Sequence, residues 1–198
     1  VAEKSISVSN LMNGSTRLQP VVMQLGQASG ALAALAVIKD KSVKKIGVRQ
    51  LQTELLEAGC YIMPYLDLKP SDRHFKAIQR IGATGILRGE GRNIGWSNET
   101  WFRGGDPLRG EEIYLDNLLP GFRMTPGEVS IGTMMQMIRG IGGGIPAGGE
   151  KQWWEKLGLL DYNPDRPVLR LEAAVVVDAA FDPFGFFEVN YDGNFVNR

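Results

Sequence analysis

Hydrophobic and polar positions divide the chain into two blocks. In the first, Val1 to Val8 alternates as a half-buried strand does, and Asn13 and Gly14 read as the turn that follows it. Apolar residues then dominate from about Pro20 to Ile38. A proline at the first helical position costs nothing, because the N–H it lacks has no acceptor within the helix. In VRQLQTELLEAG, Val48, Leu51, Leu55 and Ala58 recur at spacings of three and four, and Gly59 stands where a helix ends. These segments predict a small helical hairpin. YIMPYLDLKP, with Pro64 and Pro70, reads as the connector to the second block.

The second block holds a unit that occurs twice. The first copy is a helix over SDRHFKAIQRIGATGI, a polar glycine-rich loop ending WFRGGDPLRGEE, and a helix EEIYLDNLL. The second is a helix GEKQWWEKLGLL, a short loop DYNPDRP, and a helix VLRLEAAVVVDAAF. A repeat of this size implies stacked units that share a core. Between the copies, TPGEVSIGTMMQMI predicts a helix with Thr125 as N-cap, Pro126 at N1 and Glu128 at N3. Ile131, Met134, Met135 and Ile138 would line its buried face, the methionines as core filler. GIGGGIPAGGE lacks the Gly-Lys-Ser/Thr ending of a phosphate cradle and reads as a loop. FFEVNYDGNFV alternates around Asp192 and Gly193, which predicts a closing two-stranded ribbon. The fold class expected is mainly α: a helical hairpin, then a two-repeat helical module with a small C-terminal β-hairpin.

Composition narrows the chemistry. With 22 basic and 22 acidic side chains the chain has no net field to gather nucleic acid or an anionic membrane, and neither is expected as a partner. The longest apolar run, VVMQLGQASGALAALAVI, is interrupted by Gln24, Gln27 and Ser29, and reads as a buried helix, with no membrane span. A single cysteine, Cys60, excludes an internal disulfide, and a single histidine, His74, leaves no zinc set, so no metal site is expected. His74 reads as a packed helix-start residue with no catalytic partner, and no catalytic residue is assigned. Trp96 and Trp101 in the polar loop, and Trp153 and Trp154 at a helix start, could stack on sugar rings. The competing expectation is that at least one of each pair is core.

VAEKSISVS, followed by NGSTRLQPVVMQLGQASGALAALAV and VRQLQTELLEAGCYI, resembles the C-terminal flavin-contacting segment of FAD-dependent oxidoreductases with two dinucleotide-binding domains. The likeness covers about residues 1 to 62, taken as an incomplete domain, with a second domain from 63 to 198. It implies that Ser15 and Arg17 are turn contacts near the isoalloxazine, and that Gln19, Val21 and Val22 belong to a helix start aimed at the flavin pyrimidine edge. Unpaired N–H groups and an arginine there favour negative charge. Gly26 and Gly30 would let the helix pack closely against a nucleotide-binding domain that precedes this chain, which looks like the C-terminal piece of a longer protein. Ala2-Glu3-Lys4 departs from the family's Ala-Gly-Arg, and a carboxylate there would repel a pyrophosphate. No G-x-G-x-x-G occurs in the chain. FAD is therefore expected in the longer parent, and no tight binding is expected by this chain alone.

HFKAIQRIGATGILRG and RPVLRLEAAVVV resemble S-layer-homology repeats, modules that hold cell-wall polysaccharides. Arg109 with Glu111, and Arg170 with Glu172, stand where that family has its arginine and glutamate, with Leu169 in the threonine position. The resemblance implies that Arg109 and Arg170, helped by Trp96 and Trp101, bind an acidic polysaccharide. The competing expectation is that they cap helices and pair across repeats. The first copy is one residue short and a third is missing from the sequence pattern. The leading expectation is the C-terminal part of an FAD-dependent oxidoreductase, inactive alone. The alternatives are a non-catalytic carbohydrate- or cell-wall-binding accessory module and a purely structural appendage. Proteins so arranged are sometimes labelled xanthan lyases, although His74 with Arg73 makes no lyase site here. The resemblance implies an extracytoplasmic location.

Overall fold

A computed structural model describes residues 6–116, 118, 121–146 and 148–196. Its helices are α1 (Asn10–Thr16), α2 (Gln19–Ile38), α3 (Val48–Glu57), α4 (Phe75–Thr84), α5 (Ile131–Gly140), α6 (Glu150–Lys156), α7 (Arg170–Phe181) and α8 (Pro183–Phe186). One antiparallel sheet pairs β1 (Glu90–Ile94) with β2 (Ser97–Trp101). The mainly helical expectation holds. The chain divides into one unit running to Cys60 with Val189–Asn194, and another of Tyr61–Glu188 with the residues from Phe195.

In the first unit the strand expected over Val1 to Val8 falls largely outside the described residues, and Ile6 to Ser9 are not strand. The expected turn at Asn13 and Gly14 is helix instead: Ser9 accepts the Met12 N–H and caps α1, which runs through both residues. α2 follows, with Pro20 in its first turn. It ends where Asp40, at φ 48°, turns the chain out of the helix. α3 ends at a left-handed Gly59, as its sequence position predicts. Leu35 and Ala36 of α2 meet Ile46, flanked by Leu32 and Leu51, and Tyr191 donates to the carbonyls of Val43 and Ile46. That small core makes the hairpin.

The apolar run is not the buried helix expected from its composition. Only Leu35 and Ala36 of α2 are buried, and Met23, Val37 and Ile38 are 74, 81 and 78% exposed. A Cβ placed on Gly26 or Gly30 would meet nothing within 4 Å. Among the described residues α2 alone is long and apolar enough to cross a membrane, with a mean hydropathy of 1.7 over its best window.

The second unit has a fuller core. Gln79 of α4, fully buried, accepts the N–H groups of Ile62 and Met63 and donates to the Met63 carbonyl, which binds the 61–70 connector to the helix. Asp67 accepts from Phe102 and Arg103 in the same way. Trp154, Ile78, Ile81, Met134, Ile138 and Val176 are all buried. Arg80 of α4 pairs with Asp178 of α7, whose carboxyl is pushed up by burial against the pull of that guanidinium.

At the centre three extended segments close a ring. Leu108 N–H donates to Val168 O at 2.8 Å, Val168 N–H to Val129 O at 2.9 Å, and Val129 N–H to Leu108 O at 3.0 Å. Each of the three side chains is buried. Each arm also caps a neighbour's helical turn. The carbonyls of Asp106 and Gly104 take the N–H groups of Arg170 and Leu171, those of Arg166 and Pro164 take Ile131 and Gly132, and that of Gly127 takes Gly110. The first unsatisfied donors of α5 and α7 thus find acceptors from other segments. In two arms a glutamate reaches back to the backbone, Glu112 to Arg109 N and Glu172 to Leu169 N; in the third, Ser130 accepts from Thr133 N.

This geometry corrects four expectations. A third arm, Glu128-Val129-Ser130, is present although no third sequence copy is. α5 begins after Ser130, not at Thr125, because Val129 is drawn into the ring as extended chain. Among the described residues of EEIYLDNLL there is a 3₁₀ turn, Gly110–Glu112, and no α-helix: Ile113 and Leu115 are buried at alternate positions and Leu87 bridges to Ile113, the habit of extended chain. Asn117 and Leu119 lie outside the described residues. The sheet is not the C-terminal ribbon but β1 and β2, within the segment expected to be loop. At the C-terminus Asp192 and Gly193 do turn, with Asn190 N–H donating to Asn194 O, yet no strand forms among the described residues.

Two outcomes follow from the ring. A Cβ on Gly110 would collide with the Thr125 carbonyl, which is backbone and cannot swing away. Gly110→Ala is expected to lower stability in urea denaturation by about 1–3 kcal/mol, typical of overpacking. The second concerns Glu111, which accepts from Gly127 N–H and Arg109 Nε and is drawn from an ordinary 4.5 to about 2, first by the Gly127 bond and then by Arg109. Its bonds stabilise the fold above its ordinary value and are lost as pH falls through about 2. A carboxyl-detected NMR titration should place Glu111 there, and Arg109→Ala should raise it only partway, since Gly127 remains.

Candidate functional site

A cavity of about 840 Å³, open to solvent, lies in the second unit beside the ring. Arg88, Glu90, Arg103, Arg109, Glu111, Tyr114, Glu128 and Arg170 line it. Its charge is mostly internally paired. Arg103 bonds Glu90 and Asp106, and Glu90 is held at about 2, first by Arg92 and then by Arg103. Arg109 bonds Glu111 at 2.7 Å and remains exposed. Arg170, only 5% exposed, donates from Nε to Phe102 O, from Nη1 to Glu112 and from Nη2 to Arg88 O. Its guanidinium also lies over the Phe102 ring. Each of its nitrogens is thereby engaged in the fold. Arg109 and Arg170, assigned together from the sequence, do share this cavity.

The aromatic pairs separate. Trp96 sits with Gly95 (φ 61°) in the two-residue turn joining β1 and β2 and is fully exposed. Trp101 is half-buried and donates to Glu99, Trp153 is half-buried, and Trp154 is wholly buried with its indole N–H on Leu160 O. His74 precedes α4 and is half-buried; burial, outweighing a bond at Gly158, lowers its pKa. Among the described residues no group of His, Cys, Asp and Glu could hold a metal ion. Several lining residues escaped the sequence reading, Arg88 and Tyr114 among them. Arg88 leaves the stop of α4 in ILRG, and its guanidinium lies 4.5 Å from the Tyr114 ring centroid, a partner no local spacing connects to it.

In the first unit, Ser15 is in α1 and Arg17 caps its C-terminus, both exposed. Gln19 begins α2, and Val21 and Val22 are half-buried in its first turn. Leu18 provides no side-chain cap and the first turn carries no acid, so this helix start presents its positive end uncompensated. Among the described residues Arg17 has no ion partner. Among the described residues no dinucleotide cradle accompanies Ser15, Arg17 and the start of α2.

Comparison with known proteins separates the two units. A family described as FAD dependent oxidoreductase matches residues 1–55. No curated protein and no solved structure matches the chain. Residues 1–55 are an FAD-dependent-oxidoreductase-like region.

Proposed function

We propose that this region is the flavin-facing end of an FAD-dependent oxidoreductase and acts only with a nucleotide-binding domain. The observation that carries the reading is the bare face of α2, where Gly26 and Gly30 leave open space one turn apart beside exposed Leu18 and Met23. A face so shaped admits another backbone closely. In this reading Ser15 and Arg17 flank the ring, and the N–H groups around Gln19 and Val21 hold negative charge at its pyrimidine edge. The flavin, when bound, supplies the two-electron chemistry. Arg17 and the helix start orient it and favour its anionic form. In this reading the nucleotide-binding domain, and not this region, retains it.

A second reading is favoured by the cavity beside the ring: the second unit is a non-catalytic module for an acidic polysaccharide, of the S-layer-homology type, in an extracytoplasmic protein. Open shape, hydrogen-bonding side chains and a protruding indole at Trp96 suit a sugar chain. Arg109 and Trp101 are the further contacts proposed. Arg170 serves indirectly, by holding the walls.

The visible spectrum of the natural gene product, purified without added cofactor beside this chain, tests the first reading. Flavin absorbance is expected in the former alone, reduced by Arg17→Ala. Absence from both, even after FAD is added, overturns it. For the second, Trp96→Ala should weaken retention in acidic-polysaccharide affinity electrophoresis without lowering the melting temperature, because Trp96 touches no core. Unchanged retention would exclude Trp96 as a contact.

A further inference from the structure

The arginine expected to bind a ligand is already spent on the fold, so which cation does the cavity offer? Arg170 and Arg103 are bonded to carboxylates, and Arg109 to Glu111. Arg88 has no acidic partner among the described residues, and it is exposed. It rests on the Tyr114 ring, a contact that holds a guanidinium flat while leaving its edge donors free for a planar acceptor. A carboxylate accepts such a fork through two parallel bonds.

The position of this stack adds the shape of the ligand. Arg88 and Tyr114 border the 840 Å³ cavity and also a second open one of about 560 Å³, where Thr84 and Asp116 are neighbours. Asp116 is occupied by Arg123. A single sugar lies within one cavity and leaves most of it empty; a ligand that occupies both has to be a chain.

Charge decides how acidic that chain can be. Against its four arginines the larger cavity sets Glu90, Asp106, Glu111, Glu112 and Glu128, an excess of one negative charge. Glu128 makes no side-chain bond among the described residues and can accept from sugar hydroxyls. A uniformly charged polyuronate would meet repulsion along most of this wall, whereas an isolated carboxylate between neutral sugars would meet it only where Arg88 compensates.

We propose that Arg88, fixed by Tyr114, grips the single carboxylate of a sparsely acidic oligosaccharide that spans the two cavities. This rests on the carbohydrate-binding reading of the second unit and names its ionic contact. Isothermal titration of the whole chain tests it with three probes: a xylo-oligosaccharide bearing one glucuronic acid, the same oligosaccharide without the acid, and an oligogalacturonate. The singly acidic probe should bind best. Arg88→Ala should cost about tenfold or more in affinity for it, the worth of one charge-assisted pair, and bring it level with the neutral probe. Arg88→Lys should recover part, and neither variant should change the melting temperature. Equal affinity of wild type and Arg88→Ala, with binding intact, overturns the inference and leaves the carbohydrate reading standing. Tightest binding of the oligogalacturonate overturns the single-carboxylate specificity. If the wild-type chain binds none of the three, inference and reading fall together.

Discussion

Arg170 sits where three segments that are distant in sequence must meet, and its guanidinium is nearly dry. A charge buried that deeply is tolerated only if its donors are satisfied. Here the Phe102 carbonyl, the Arg88 carbonyl and the Glu112 carboxylate satisfy them, tying α7 to the chain after β2, to the chain after α4 and to the first arm of the ring. Removing any one contact leaves an unpaired group in the interior, so the segments are held as a set. The same commitment explains the surface above. With Arg170 turned inward, the positive charge that solvent can reach at the cavity is carried by Arg88, Arg103 and Arg109.

The ring closes because its arms exchange backbone bonds in one direction around a circle. Each arm offers a carbonyl to one neighbour and an N–H to the other, and places one aliphatic side chain in the middle. Helix starts that would otherwise need Ser, Thr, Asp or Asn borrow carbonyls from other segments instead. That is why Leu169 can precede α7: Asp106 and Gly104 supply what a threonine side chain would have offered.

Helices with a buried stripe were legible in the sequence. α4 and α5 carry apolar residues at three- and four-residue spacing, and the buried face of α5 contains the four residues its pattern names; in α3 the pattern names Val48, Leu51, Leu55 and Ala58, whereas Leu56 is the buried residue and Ala58 is exposed. What escaped depended on partners far along the chain. β1 is exposed on both faces, so no hydrophobic alternation marks it; only a glycine in a two-residue turn hints at the hairpin. Val129 looks like the second turn of a helix until Leu108 and Val168 claim its backbone. EEIYLDNLL is expected as a helix because it closes the first copy of the repeat, but Ile113 and Leu115 alternate as extended chain does. Arg170 and Glu172 were recognisable as a motif, whereas their partners Glu112 and Arg166 were not.

The two units differ in how far each accounts for its own helices. In the second, Trp154, Ile81, Met134 and Val176 find cover from neighbouring elements of the same unit. In the first, a 20-residue helix buries two side chains. An isolated helix in water is marginal, and exposed Met23, Val37 and Ile38 add surface that water disfavours. Such a helix calls for an apolar cover, either lipid or protein. Lipid would suit its ends but not its middle, where Gln24, Gln27 and Ser29 would carry polar groups into hydrocarbon. Gly26 and Gly30 weigh the same way, since open space at successive turns suits another backbone. The family match over residues 1–55 is independent of that geometry, and the nucleotide-binding domain proposed above is a cover of the protein kind.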